Sequence, residues 1–267
     1  MQQLRELMDM TGRVAIITGG AGHIGMAMAE ALAELGTELL LLDIEEERLR
    51  KSVEFLSSIY DTRLDYLVVD LEQTETLKTV AQTVQERFGR LDVLINNAAF
   101  VGTKNMEGWV TKFEQQSVST WRRAIEINLT SVFALTQICA EQLRSSGHGS
   151  VINISSIYGK LGPDLSLYEG TNMGNPAAYA ASKGGISQFT RWLSTVLAPN
   201  VRVNTISPGG LERGQPLAFQ ERYISRTPLR RMATEEDFKG VVAFLASDMS
   251  SYVTGQDIMV DGGWGAW

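Results

Sequence analysis

The chain has 267 residues, 44% of them hydrophobic and 21% charged, and reads as an ordinary globular protein with room for one large α/β domain. A net charge of -7, with a pI near 5.0, argues against nucleic acid or an anionic membrane as the main partner. The single cysteine, Cys139, cannot form an internal disulfide and suits a reducing compartment.

The first residues, "MQQLRELMDMTGR", are charged and do not read as a secretory signal. No apolar run approaches the roughly 20 residues that span a bilayer, so a cytoplasmic location is expected. Short apolar runs then alternate with longer helix-period runs. "VAIITGG" predicts a strand and "IGMAMAEALAELG" a helix; "ELLLLDI" and "ERLRKSVEFLSSIY" form a second pair, "LDYLVVDL" and "TETLKTVAQTVQERFG" a third. "LDVLINNAA" leads to "WRRAIEINLTSVFALTQICAEQLR", read as one long helix, and "GSVINISS" to a helix carrying "YAASK". "VRVNTISPG" precedes a late helix beginning "TEEDFKGVVAFLA", which opens on a capping-box pattern, Thr234 and Asp237; "DIMVDGG" is the last strand.

Several strands are apolar almost throughout, as expected when helices cover both faces of a parallel sheet. About seven β/α alternations without an internal repeat predict a doubly wound α/β sheet, a Rossmann fold, with residues 1–267 as a single domain. Irregular stretches at 100–118, 157–178 and 210–233 follow strand ends, where such sheets bind ligands.

The run "VAIITGGAGHIGMAMAEALAELG" is a strand, a glycine-rich turn and a helix. Such a turn aims backbone N–H groups and a helix N-terminus at a pyrophosphate. Gly20, Gly22 and Gly25 match GxGxxG literally, and Asp43 follows Gly25 by 18 residues at the end of the next strand. A carboxylate there accepts hydrogen bonds from ribose hydroxyls and repels a 2′-phosphate. Neither the turn nor Ile44 offers an arginine or lysine, so NAD(H) is favoured over NADP(H), with His23 the one basic candidate nearby.

These residues resemble the classical short-chain dehydrogenase/reductases. "TGGAGHIG" is similar to the family's TGxxxGxG turn from Thr18 to Gly25, with His23 where a glycine is usual; in that register Gly19 and Gly25 are the functional glycines, and His23 and Ile24 lie in the turn. The resemblance implies an adenine contact from Asp70 and Leu71 of "VVDL", and cofactor contacts from Asn97 and Ala98 of "NNAA" and from Pro208, Gly209 and Leu211 around "SPGG". It also implies a role for Asn128 of "EINL" in holding a water chain, catalysis by a serine of "NISS", and the Tyr179–Lys183 pair of "YAASK", which touches the cofactor as well. Ala99 and Arg213 depart from the family pattern, Arg213 replacing a usual threonine.

Hydride transfer at an alcohol carbon needs a partner for the oxygen's proton. Unperturbed tyrosine titrates near 10, too high for a base at neutral pH, but a nearby lysine ammonium favours the phenolate. Of Tyr158, Tyr168 and Tyr179, only Tyr179 stands one helical turn from Lys183. A serine hydroxyl can hold the substrate oxygen. Alternation along "SVINISS" lets one of Ser155 and Ser156 face the site without saying which; by resemblance it is Ser156. No His, Cys or carboxylate cluster has metal-ligand spacing, and His148 reads as loop.

Ser156 and Tyr179 are 23 residues apart, a longer separation than the family usually has, and an active-site insert is expected over about 158–177. Its content, Asp164, Tyr168, Glu169, Thr171 and Asn172, suits a wall contacting a hydroxyl-rich ligand such as a sugar, with Tyr168 touching substrate. The same loop resembles a subgroup concerned with flagellin modification and nonulosonic-acid sugars. Arg213, Arg222, Arg226, Arg230 and Arg231 crowd a substrate loop at 210–233, where they could recruit a phosphate or carboxylate, line a solvated face or meet another subunit. Substrate contacts are thus expected from Ser156, Tyr168, Tyr179 and Arg213. Trp264 and Trp267 would be costly to leave exposed, which points to a homo-oligomer, a dimer or tetramer. The expected activity is NAD(H)-dependent alcohol–ketone interconversion on a polar, sugar-derived small molecule. A 3-oxoacyl-carrier reductase, a non-catalytic dinucleotide-binding regulator and a nucleotide-sugar epimerase are the alternatives.

Overall fold

The computed structural model describes residues 2–102 and 106–267. Residues 103–105, within the first of the three irregular stretches, lie outside the described residues. Seven strands, β1 (Val14–Thr18), β2 (Glu38–Asp43), β3 (Leu64–Val68), β4 (Val93–Asn96), β5 (Gly149–Ile154), β6 (Val201–Pro208) and β7 (Asp257–Val260), form one parallel sheet in the order β3-β2-β1-β4-β5-β6-β7. The chain reverses its direction of travel across the sheet between β1 and β4. Their C-terminal ends therefore border a crevice.

The helices are α1 (Leu4–Met8), α2 (His23–Glu34), α3 (Glu46–Ser57), α4 (Lys78–Arg87), α5 (Val118–Ile125), α6 (Ser131–Ser145), α7 (Ala177–Leu197), α8 (Leu217–Arg226) and α9 (Lys239–Ala246). Every residue of β1, β4 and β5 is buried, and alternate residues feed two separate cores. Ile17, Leu41 and Ile95 pack on Met28 and Leu32 of α2 and on Val242 and Leu245 of α9. Ile16, Leu40 and Leu94 pack on the other side against Val80, Leu135, Leu143 and Leu193. Cys139 is sealed in that second core, where burial pushes its thiol up to about 12. Among the described residues no helix is long and apolar enough to cross a membrane.

Two expectations are refined. The run read as one long helix is α5 and α6 joined by a widened π turn, Glu126–Thr130, centred on the buried Asn128. β3 ends at Val68, so Asp70 and Leu71 occupy the turn beyond it. The capping box is present: Asp237 accepts from the Thr234 N–H at 2.8 Å, and one 3-10 turn leads into α9.

The 157–178 segment folds onto α8. Ile157, Leu167, Phe219, Tyr223, Met232 and Trp264 form a small core, edged by Tyr158 and Tyr168. Arg222 of α8 donates to the Glu169 carbonyl at 2.6 Å, and Arg226 is paired with Asp164. Trp264 overturns part of the argument for oligomerisation. It is only 3% exposed within its own chain, stacked on Tyr223 at 4.3 Å with Arg226 lying over its ring. Trp267 remains 72% exposed.

Candidate active site

A cleft of about 660 Å³ runs from the glycine turn after β1 to the ends of β5 and β6. At the turn, the Thr18 hydroxyl accepts from the N–H groups of Asn97 (2.9 Å) and Ala98 (3.0 Å). The Asn97 amide donates back to the Thr18 and Gly19 carbonyls at 3.0 and 3.1 Å. The loop after β4 is thus sewn to the loop after β1. Gly19 has φ +62°, where a side chain is strained, and a Cβ there would lie 3.0 Å from the Ala98 Cα. At Gly25 a Cβ would lie 2.1 Å from the Gly19 carbonyl oxygen. The two positions that demand glycine are therefore Gly19 and Gly25. Gly22 sits at an ordinary φ of -82° and precedes the first residue of α2, His23.

This cradle fits a dinucleotide: bare backbone and the N-terminus of α2 face the cleft, with Gly19, Gly22, His23 and Ile24 lining it. Gly25 lies behind the lining and lets α2 approach the turn. Asp43 lies farther along, its Oδ1 accepting from the Ile44 N–H at 2.8 Å while Oδ2 has no partner among the described residues. Asp70, Leu71, Asn97 and Ala98 line the same end, and Pro208, Gly209 and Leu211 the other.

Sequence reasoning missed Arg48. It lines the cleft beside Asp43 and donates to the Ala21 carbonyl at 2.9 Å, reaching back over the glycine turn from the first turn of α3. A search confined to the turn and to the residue after Asp43 passes over it. The helical rise of α3, starting at Glu46, is the signal that would have found it. His23 lies 3.2 Å from the Glu235 carboxylate.

β5 delivers two serines to the other half of the cleft. Ser155 turns inward, donating to the Lys183 carbonyl at 2.8 Å. The Ser156 hydroxyl accepts from the Tyr158 N–H at 3.2 Å, and its nearness to the Tyr179 phenol favours the phenolate. Both serines line the cleft, with different hydrogen-bond partners.

α7 starts directly after Pro176 and sets Tyr179 and Lys183 one turn apart, with the Lys183 Nζ 5.8 Å from the tyrosine ring centroid. That Nζ donates to the Ile154 carbonyl at 2.8 Å, tying α7 to the end of β5. Burial lowers Lys183 to about 8 and raises Tyr179. The nearby Ser156 hydroxyl and the positive charge of Arg213 pull the tyrosine back down.

Asn128 is not in the lining. Its Oδ1 accepts from the Phe100 N–H at 2.6 Å, and its amide donates to the Phe100 carbonyl (3.2 Å) and the Ser182 hydroxyl (3.0 Å). Ser182 donates to the Tyr179 carbonyl at 2.8 Å, so the Asn128 side chain braces α7 beneath the Tyr–Lys pair. Both of its amide hydrogens are engaged by protein acceptors. Tyr168 is likewise turned elsewhere: its hydroxyl is 2.6 Å from that of Tyr158 and its ring packs on Phe219. The structure therefore brings Ser156, Tyr179, Lys183 and Arg213 to one wall and leaves Tyr168 in the small core behind it. A buried ladder that sequence reasoning did not anticipate supports the wall. Asn96 donates to Asn153 (2.8 Å), Asn153 to Thr190 (2.8 Å), and Thr205 to Thr190 (2.7 Å).

Fold and cleft together define a dinucleotide-dependent oxidoreductase, and comparison with known proteins agrees. The family model described as enoyl-(acyl carrier protein) reductase matches residues 19–265. A 3-oxoacyl-[acyl-carrier-protein] reductase of Thermotoga maritima is 34% identical, the match covering 96% of this chain and 99% of that protein. The NADPH-dependent 3-quinuclidinone reductase of Rhodotorula rubra superposes with a TM-score of 0.88 at 28% identity, covering 100% of this chain and 98% of the other. An NAD+-bound xylitol dehydrogenase superposes with a TM-score of 0.82 at 30% identity, covering 95% and 99%. The chain belongs to the short-chain dehydrogenase/reductase family, whose members named here act on alcohols and ketones and use either nicotinamide cofactor.

Proposed function

We propose that the chain is an NAD(H)-dependent oxidoreductase that interconverts a secondary alcohol and a ketone on a small polar substrate of the sugar-derived kind. The observation that carries this reading is the meeting of Ser156, Tyr179 and Lys183 on one wall of the cleft whose far end holds the glycine turn and Asp43. A nicotinamide dinucleotide held there, from Gly19 and Asp43 to Pro208 and Gly209, supplies the hydride acceptor, or the hydride in the reverse direction. The chain's residues handle the oxygen. Ser156 accepts from the Tyr158 N–H and can turn its own proton from the Tyr179 phenol to the substrate oxygen. Tyr179 takes the hydroxyl proton in oxidation and returns it in reduction, with the charge of Arg213 favouring the phenolate and the Lys183 Nζ 5.8 Å from the ring centroid. The xylitol dehydrogenase likeness supports a polyol-like substrate.

Asp43 supports NAD(H), because its free oxygen would face a 2′-phosphate with like charge. Fluorescence titration is expected to give NADH an affinity at least about tenfold above that of NADPH, with Asp43→Ser narrowing the gap. Tighter NADPH binding by the unaltered protein would overturn the cofactor assignment. Screening polyols, sugar acids and sugar phosphates for a change in NADH absorbance tests the reaction itself.

The Thermotoga relative favours a second reading, a 3-oxoacyl-carrier reductase. Turnover of an acetoacetyl thioester with NADPH, and none of any polyol, sugar acid or sugar phosphate with NAD, would select it. A cytoplasmic homo-oligomer, a dimer or tetramer, belongs to the same proposal. Support comes from an aromatic row on α6 and α7: Phe133 (44% exposed), the partly buried Phe189, and Trp192 (55% exposed), with Phe189 and Trp192 stacked at 6.2 Å. Light scattering is expected to find an oligomer that Trp192→Glu shifts toward the monomer; a monomeric parent protein would overturn this.

A further inference from the structure

Five arginines follow β6, and the structure separates them by what they hold. Arg222 donates to the Glu169 carbonyl at 2.6 Å and Arg226 is paired with Asp164, so both pin the insert to α8. Arg230 donates to the Ser225 carbonyl at 2.6 Å. Arg231 makes a two-pronged pair with Asp237, both contacts 2.6 Å. Arg213 remains. Among the described residues its guanidinium donates to no acceptor and has no carboxylate within 4.0 Å; the nearby Glu235 is engaged by His23 at 3.2 Å.

The backbone that carries the exposed Arg213 side chain is nevertheless held in position. The Arg213 backbone N–H donates to the Gln215 side-chain oxygen at 2.8 Å, and the Gln215 amide donates to the Leu211 carbonyl at 2.6 Å, closing a short loop. Gln220 donates to the Gln215 carbonyl at 2.8 Å, fastening that loop to α8. The loop is joined to the body by the Leu211–Ala233 bridge. Arg213 and Gln215 both line the cleft that contains Ser156 and Tyr179, and the Arg213 charge is felt at the Tyr179 phenol. A fixed loop thus presents an unpaired planar cation beside the reacting groups of a chain with net charge -7. A guanidinium in such a setting matches a carboxylate or phosphate with two parallel hydrogen bonds.

We propose that Arg213 is the receptor for an anionic group, a carboxylate or a phosphate, carried by the substrate near its reacting carbon. This rests on the alcohol–ketone reading above and narrows it: the substrate is a hydroxy or oxo acid, or a phosphorylated alcohol or ketone, rather than a neutral polyol. The receptor also supplies the electrostatic term beside Tyr179 that the usual threonine at this position lacks.

Two measurements test it. In the first, cyclohexanecarboxylate, cyclohexylphosphonate and neutral cyclohexanecarboxamide are titrated by calorimetry into the protein saturated with NADH. At least one anion is expected to bind about 10- to 100-fold more tightly than the carboxamide, and Arg213→Met is expected to abolish that preference. The anion that binds better separates a carboxylate substrate from a phosphate one. Equal binding of all three, or a preference that survives Arg213→Met, overturns the proposal. In the second, cyclohexanones bearing the same three groups at C4 are offered with NADH. The charged-to-neutral ratio of kcat/KM is expected to fall about 10- to 100-fold in Arg213→Met and to be partly restored in Arg213→Lys. An unchanged ratio overturns the receptor while leaving the oxidoreductase reading intact. Anion binding that Arg213→Met abolishes upholds the receptor whether or not these cyclohexanones turn over, because the oxidoreductase reading is tested separately by the NADH-absorbance screen.

Discussion

Tyr179→Phe is expected to lower kcat by about 10²- to 10⁴-fold, the usual worth of a positioned general acid–base, while NADH affinity changes far less. The substitution removes one oxygen and leaves the ring where it is. The tyrosine packs against a small buried group, Trp109, Ala124 and Ala178, that does not involve the hydroxyl. α7 is held independently by the Lys183–Ile154 bond and by the Asn128–Ser182 brace. Folding is therefore expected to survive, and single-turnover hydride transfer with an accepted substrate reads the loss directly. Turnover at the level of the parent protein would mean that another group carries the proton.

The same pair gives a pH dependence. Burial lowers Lys183 from 10.5 to about 8, so between those values the unfolded chain holds a proton that the folded chain has released. Its burial therefore costs stability below about pH 8, and that cost fades as the pH rises toward 10.5. The chain tolerates this cost where it needs a cation next to Tyr179. As Lys183 loses its proton, a positive charge one helical turn from Tyr179 goes with it. Arg213, ionised throughout the working range, is the charge that remains.

How far the sequence could be read depended on how local each feature is. Fully apolar strands announced a sheet covered on both faces, and β1, β4 and β5 are buried end to end. Tyr179 and Lys183 were legible because a helix turns four residues of spacing into one shared face. Features that depend on distant packing were not legible. Arg48 reaches the glycine turn only because α3 folds back along β2. Trp264 looked like an unpaired surface aromatic until Tyr223, in α8, was found stacked upon it. Tyr168 has the composition of a ligand contact, yet Tyr158 takes its hydroxyl and Phe219 its ring. The arginine cluster shows the same division: composition marks five candidates, and only the pairing of four of them singles out Arg213.

Gly25→Ala is the second change expected to have a large effect, and Gly22→Ala is its control. The literal GxGxxG spacing treats Gly22 and Gly25 as equivalent, but their surroundings differ. A Cβ on Gly25 would stand 2.1 Å from the Gly19 carbonyl oxygen and 2.8 Å from the Asn97 amide nitrogen, and the first of these is backbone that cannot rotate away. Relieving the overlap requires moving the turn or α2 by about 1 Å, at a typical cost of 1–3 kcal/mol. That movement also pulls on the Asn97 bonds to Thr18 and Gly19, which join the turn to the loop after β4. NADH affinity is accordingly expected to fall by about 100-fold or more in Gly25→Ala, because the backbone donors are no longer aligned. At Gly22 the φ of -82° suits any residue, and a Cβ would meet only the Gly19 oxygen at 3.1 Å, a contact relieved by a few tenths of an ångström. Affinity is expected to change there by less than about fivefold. Fluorescence titration of both variants, with thermal melting to confirm that each is folded, decides between the two registers. Equal losses would make Gly22 as demanding of glycine as Gly25 and break the assignment of Gly19 and Gly25 as the pair that sets the cradle.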